Sequence, residues 1–151
     1  MGFGKIFTGG IAHNKFYFQK TFLFITLFKL QLDFNLCWRL LKFAFSVHNL
    51  LGPGLLESAY EGALCVELAL AGLSFEQQKV FPLYYKGQYI GEYIADLVVN
   101  DRIIVELKSV SKLTPVMETQ IIHYLKLSKL KVGYLVNFNS VSLVWKRFVN
   151  Q

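Results

Sequence analysis

The chain has 151 residues, enough for one domain with a hydrophobic core, and its apolar fraction of 54% is high for a soluble protein. Two cysteines, Cys37 and Cys65, exclude a disulfide framework; they form no C-x-x-C pair, so a thiolate zinc site is unsupported and a reducing, cytoplasmic setting is expected. The net charge of +6 is lopsided: residues 1–50 carry six basic groups against Asp33 alone, while residues 51–151 carry ten against nine, so charge by itself is no nucleic-acid footprint.

Residues 1–36 are rich in Phe and Lys. Their longest apolar stretch, 22–28, lies between Lys20 and Lys29 and is far short of the ~20 residues of a spanning helix. No small-residue cleavage site follows it, and Ile6 stands where a myristoylation motif wants Ser or Thr. This extension is expected to be an extra strand or helix packed on the domain, or a poorly ordered segment. The sharper alternative is an interfacial membrane anchor.

Residues 37–51, CWRLLKFAFSVHNLL, carry Leu40, Leu41, Ala44, Val47 and Leu51 at helical spacing and stop at Gly52, Pro53 and Gly54. His48, near the end of that helix, reads as a surface or capping residue. A second helix is expected from about 55 to 71, with apolar positions Leu56, Ala59, Ala63, Val66 and Leu70 and with Gly72 just past its end. Glu57 and Glu61 lie four apart near its start, where the helix dipole alone accounts for acidic residues.

Strands follow at 75–85, 89–99 and 102–108, with Pro82 marking an edge. Thr114 and Pro115 open a helix to about 130, as N-cap and first helical residue, with a stripe through Val116, Ile121, Leu125 and Leu127. Residues 132–138 form an uninterrupted apolar strand of the kind buried on both faces, and 142–149 a last strand. The order ααβββαββ makes three antiparallel strands and then a helical crossover to a parallel one. The expected fold is α/β in the broad sense, an α+β mixed sheet with packed helices.

The chemistry sits in the hairpin EYIADLVVNDRIIVELKS, residues 92–109. Asp96 lies in its first strand and Glu106 and Lys108 in its second, among apolar residues that rarely accompany buried charge. Glu106 and Lys108 are two apart and share a face. A two-residue turn at Asn100 and Asp101 would put Asp96 on the other face; a three-residue loop, 100–102, would put it opposite Glu106. An odd-length loop or bulge is therefore predicted. Two carboxylates that close would repel, and a hard cation resolves the conflict: Mg²⁺, or Mn²⁺ in its place, takes one or two carboxylates plus waters and phosphate oxygens. The backbone carbonyl of Leu107 is a further candidate ligand, as is Glu57 from its helix. Lys108, beside the metal, would orient a water and stabilise charge developing on a phosphate.

Asp96, Glu106 and Lys108 resemble the signature of the PD-(D/E)xK nucleases, with Ala95 in place of the Pro. GLLESAY, residues 54–60, resembles the GxxExxY signature of the family of that name within the superfamily, and Gln120 and Tyr124 resemble the Q-x-x-x-Y element of RecB-like members. The resemblance covers about 37–150. It implies a restriction-endonuclease-like core in a domain at 37–151, apart from the extension at 1–36, and metal-dependent hydrolysis of nucleic acid, with DNA favoured and repair or defence as settings. It carries over Asp96 and Glu106 as metal ligands, Lys108 as the catalytic lysine, Glu57 at the metal, and Gln120 and Tyr124 near the phosphate. His123, beside them on a different face, is expected to be structural.

The competing reading is a catalytically silent nucleic-acid-binding or regulatory protein that keeps the fold. The nearly neutral charge of 51–151 suggests that a protein partner or a second copy supplies the basic surface. A membrane role would rest on the N-terminal extension alone and is not expected.

Overall fold

The computed structural model describes residues 11–150; the expectations for Ile6 and its neighbours lie outside them. Contacts divide the chain between Leu36 and Cys37. The first part is helical from Ile11 onward, within α1 (Ile11–Leu51), which settles helix over strand there. Among the described residues no helix is long and apolar enough to cross a membrane.

In the second part, α1 buries Cys37, Leu40, Leu41, Ala44 and Val47. Leu51, placed in the same stripe by its spacing, is exposed. His48 is not a surface residue: it is buried, and its Nε2 lies 2.8 Å from the carbonyl oxygen of Ser140. α2 (Glu57–Leu70) begins two residues later than expected and buries Tyr60, Leu64, Cys65 and Leu68. The apolar positions Leu56, Val66 and Leu70 are exposed instead. Nearly the whole circumference of this helix is apolar, so spacing offered more than one stripe. Tyr60 decides between them, because its ring stacks on Phe138 with centroids 4.6 Å apart and its hydroxyl has partners on that side.

The sheet has five strands in sequence order: β1 (Phe75–Tyr85), β2 (Gln88–Val99), β3 (Ile103–Lys108), β4 (Val132–Asn137) and β5 (Val144–Val149). All neighbours are antiparallel except β3 and β4, which α3 (Pro115–Ser128) joins as a parallel crossover. Among the described residues, three helices and a five-stranded mixed sheet make an α+β fold consistent with the restriction-endonuclease-like expectation. Pro82 falls on the edge strand, where its missing N–H breaks no ladder bond on the open side. β4 is buried along its full length and β3 from Ile103 through Leu107.

α3 packs on β4 through Ile121 and Leu125, which close over Gly133; Val116 and Leu127, also read into its apolar stripe, are exposed. Thr114 is the N-cap by position, but its side chain caps no amide.

Candidate active site

The loop between β2 and β3 sets the register. Val99 pairs with Ile103, Val98 with Ile104 and Leu97 with Val105, leaving Asn100, Asp101 and Arg102 as a three-residue connection. Its turn is closed by the Arg102 N–H donating to the Val99 carbonyl at 3.0 Å. Asn100 and Asp101 both have φ of 51°, a left-handed conformation that Asn and Asp tolerate best among residues with a side chain. Asn100 is held further by its Oδ1, which accepts from the N–H and the hydroxyl of Ser74. Continued one step, the register sets Asp96 opposite Glu106, and Lys108 follows on the same face. The same-face condition is met by the odd-length loop read from the sequence.

Asp96 sits where its strand is freed on both sides. Toward β3, strand pairing runs to Leu97 and Val105, and the Asp96 Oδ2 accepts a 2.8 Å bond from the Leu107 N–H. Toward β1, the register passes from Gln77 opposite Leu97 to Lys79 opposite Ala95 without pairing Gln78, which has φ of 50°. The amides of Gln77 and Gln78 both donate to the Glu61 carboxylate of α2, which ties down this irregularity.

Glu106 is 2% exposed, and its Oε1 is buried without a hydrogen-bond partner. Lys108 Nζ lies 3.6 Å from the other oxygen. Burial, and then the charge of Asp96, push the Glu106 carboxyl up to about 8, against a smaller opposite pull from Lys108. An orphaned carboxylate oxygen in an apolar interior is costly unless protonated or bound to a cation. The donor chemistry fits a hard divalent ion. Among the described residues no three His, Cys, Asp or Glu side chains gather into a metal-binding group, so the nucleus is the Asp96–Glu106 pair.

Glu57 lies apart from that pair. Its Oε1 accepts a 3.1 Å bond from the N–H of Ser109, one residue beyond Lys108. The Ser109 hydroxyl donates back to the Leu55 carbonyl. Tyr60 donates to the Gly52 carbonyl at 2.7 Å and accepts from the Leu55 N–H at 3.1 Å. Gly54, with φ of 106°, takes the chain through a turn closed to other residues. Glu57 and Leu55 thus join the start of α2 to Ser109, just past the end of β3, while Tyr60 ties down the turn from Gly52 to Leu55. From the other side Asn137 grips Val110, its amide donating to the Val110 carbonyl and accepting from the Val110 N–H. Leu107 meets Asp96 through its N–H rather than its carbonyl.

α3 brings Gln120 and Tyr124 to the pair. The Gln120 amide donates to the Tyr124 hydroxyl. Burial raises the Tyr124 phenol; Gln120 and Lys108 pull it down, while Glu106 and Asp96 add to the rise, which makes them its electrostatic neighbours. Tyr93 stacks on Tyr124 at 4.2 Å and donates to its backbone carbonyl. His123 is exposed and lines one open depression with Gln120 and Tyr124. It thus shares a depression with them rather than lying on a separate face. The signal was its spacing, three residues from Gln120.

A family model of the PD-(D/E)XK nuclease superfamily matches residues 35–148. No curated protein matches the chain. Among solved structures, the crystal structure of SSO0001 aligns at 22% identity with a TM-score of 0.43, over 62% of this chain and 52% of that one, so this chain spans about half the length of that structure. A likeness at that TM-score adds nothing to the assignment.

Proposed function

Because the chain belongs to the PD-(D/E)XK nuclease superfamily, we propose that it is a metal-dependent nuclease that hydrolyses phosphodiester bonds of nucleic acid, DNA before RNA, through residues 37–151. The observation that carries this reading is the orphaned, buried Glu106 oxygen beside Asp96. Asp96 and Glu106 would hold Mg²⁺, or Mn²⁺, with the Leu107 carbonyl and Glu57 as further candidate ligands. A cation held there neutralises the pair and supplies Lewis-acid polarisation of a phosphoryl oxygen.

The remaining work falls to side chains. Lys108, with its ammonium beside Glu106, positions a water for attack and stabilises charge as it develops on the phosphate. Gln120 orients the Tyr124 hydroxyl, and the two hold a phosphate oxygen in line. The buried walls of β3 and β4 limit water around the reacting group. A cytoplasmic role in repair or defence, with a partner or a second copy supplying basic surface, fits a domain with so little net charge.

The test is cleavage of single- and double-stranded DNA and RNA with Mg²⁺ or Mn²⁺ by wild type, Asp96→Ala and Lys108→Ala. Loss in both variants is expected. Equal activity in all three marks a contaminant, and binding without cleavage by wild type favours the silent nucleic-acid-binding alternative.

A further inference from the structure

The outer face of α3 carries an open depression of about 620 Å³, lined by Pro115, Val116, Thr119, Gln120, His123 and Tyr124. Gln120 and Tyr124 belong to the site above; the other four have no part in it. The volume lies in the range of small-molecule sites. The lining holds no lysine or arginine, so beyond the phosphate oxygen assigned to Gln120 and Tyr124 it offers no charge for a second phosphate. Its walls are the Pro115 ring, the Val116 side chain, which is 78% exposed, and the Tyr124 ring.

Hydrogen-bonding ends interrupt that apolar wall. The Thr119 hydroxyl already donates to the Pro115 carbonyl and so can only accept. Gln120 spends one amide hydrogen on Tyr124 and keeps its carbonyl oxygen and a second hydrogen. His123 offers both ring nitrogens. An apolar wall with a few mixed donors and acceptors suits a flat heteroaromatic ring better than an anion.

Tyr124 is also built to stack. Tyr93 covers one face of its ring at 4.2 Å and 18°, and Phe81 backs Tyr93 at 4.9 Å and 9°. The three rings form a stack, and Tyr124, which also lines the depression, offers an aromatic ring to a further planar group there.

We propose, resting on the nuclease reading, that this depression takes an unpaired nucleobase of the substrate strand beside the scissile phosphodiester, so that the substrate class is single-stranded nucleic acid or a single-stranded end. A base within a duplex has its faces stacked and its pairing edge occupied, and must leave the stack to enter such a pocket. Stacking on aromatic side chains is the common means of holding single strands. Duplex binding leans instead on phosphate neutralisation, and residues 51–151 carry only ten basic groups against nine acidic.

The test measures binding of a labelled single strand, and of the blunt duplex of the same sequence, to the full-length Lys108→Ala protein in Mg²⁺. Val116→Asp and His123→Ala are then added singly. Both positions are exposed, so both variants are expected to fold, and circular dichroism checks this. The single strand should bind at least roughly tenfold tighter than the duplex, and each added substitution should weaken it roughly tenfold without changing duplex binding. A fluorescent base analogue that dims on stacking should dim on binding and recover in Val116→Asp. Equal affinity for both substrates, or a single-strand affinity indifferent to both substitutions, overturns the proposal. Cleavage of duplex alone by wild type removes the base site and leaves the nuclease reading standing. Single-strand binding that Val116→Asp abolishes, without any cleavage by wild type, supports the base site and removes the nuclease reading.

Discussion

The Asp96 carboxylate accepts a 2.8 Å hydrogen bond from the backbone N–H of Leu107, the residue between Glu106 and Lys108. The strand that bears those two side chains therefore also fixes the third. Asp96→Asn keeps an acceptor for this bond and removes the charge. Its expected effect is a fall in cleavage rate of roughly a hundredfold or more, with little change in melting temperature. Steady-state cleavage in Mg²⁺ and thermal melts measure the two separately, and a melting loss as large as the activity loss would make Asp96 a structural residue.

A second expectation concerns pH. The Glu106 carboxyl is pushed from 4.5 up to about 8 by burial and by Asp96, whereas in the unfolded chain it ionises near its ordinary value. Between those values the folded protein keeps a proton that the unfolded chain has released, so ν_N exceeds ν_U and stability falls as pH rises. The stabilisation is fully present below the unfolded value and is lost as pH climbs through the folded one. It is on the order of a few kcal/mol in the metal-free protein. If the pair holds Mg²⁺ as proposed, the ion should bind its ionised form and raise the melting temperature more near pH 8 than near pH 5, and Asp96→Asn should shrink that difference. Melts in EDTA and in Mg²⁺ across this range check it; a metal shift independent of pH would contradict it.

Glu57 can be divided into its two candidate roles. Glu57→Gln keeps an oxygen for the Ser109 N–H and loses the charge, whereas Glu57→Ala loses both. The bond to Ser109 survives Glu57→Gln, so that variant is expected to retain most activity while Glu57→Ala loses roughly tenfold. Equal loss in both variants, with a weaker Mg²⁺ affinity by titration, would identify Glu57 as a metal ligand.

Gly133 sets the distance between α3 and the sheet. A Cβ there would lie 2.9 Å from Ile121 Cδ1, 3.0 Å from its Cγ1 and 3.3 Å from Leu125 Cδ1. Gly133→Ala should cost about 1–3 kcal/mol by overpacking. It should also reduce turnover, because the helix that shifts carries Gln120 and Tyr124. Denaturant unfolding and cleavage rates check both; an unchanged rate at reduced stability would mean that α3 adjusts without moving those two side chains.

Much of this site was legible in the chain because a strand alternates with period two. Glu106 and Lys108 had to share a face, and only an odd-length loop could bring Asp96 to it; Asn100 and Asp101, which tolerate positive φ, supply that loop. The strand boundaries, the edge position of Pro82 and the crossover through α3 followed from equally local signals. Helix faces did not. α2 is apolar nearly all round, so its buried side was settled by the stacking of Tyr60 on Phe138, a residue 78 positions away along the chain. In the same way Gly133 and the tip of Ile121 settled which side of α3 faces the sheet.

Polar partners were the least legible, because a hydrogen bond depends on which backbone group another segment delivers. Nothing local to His48 announces the Ser140 carbonyl, and nothing local to Glu57 announces the Ser109 N–H. The sequence by itself determined the fold class, the shared face of Glu106 and Lys108, and the parity of the loop that brings Asp96 to it, since these depend on residue type and short-range periodicity. Only the tertiary structure decided that Glu106 is left with an unpartnered oxygen, that Glu57 holds Ser109 just past β3, and that Gln120, His123 and Tyr124 share one depression. Each of those depends on where separate elements meet, and the free energy of burying a polar atom is set at that meeting.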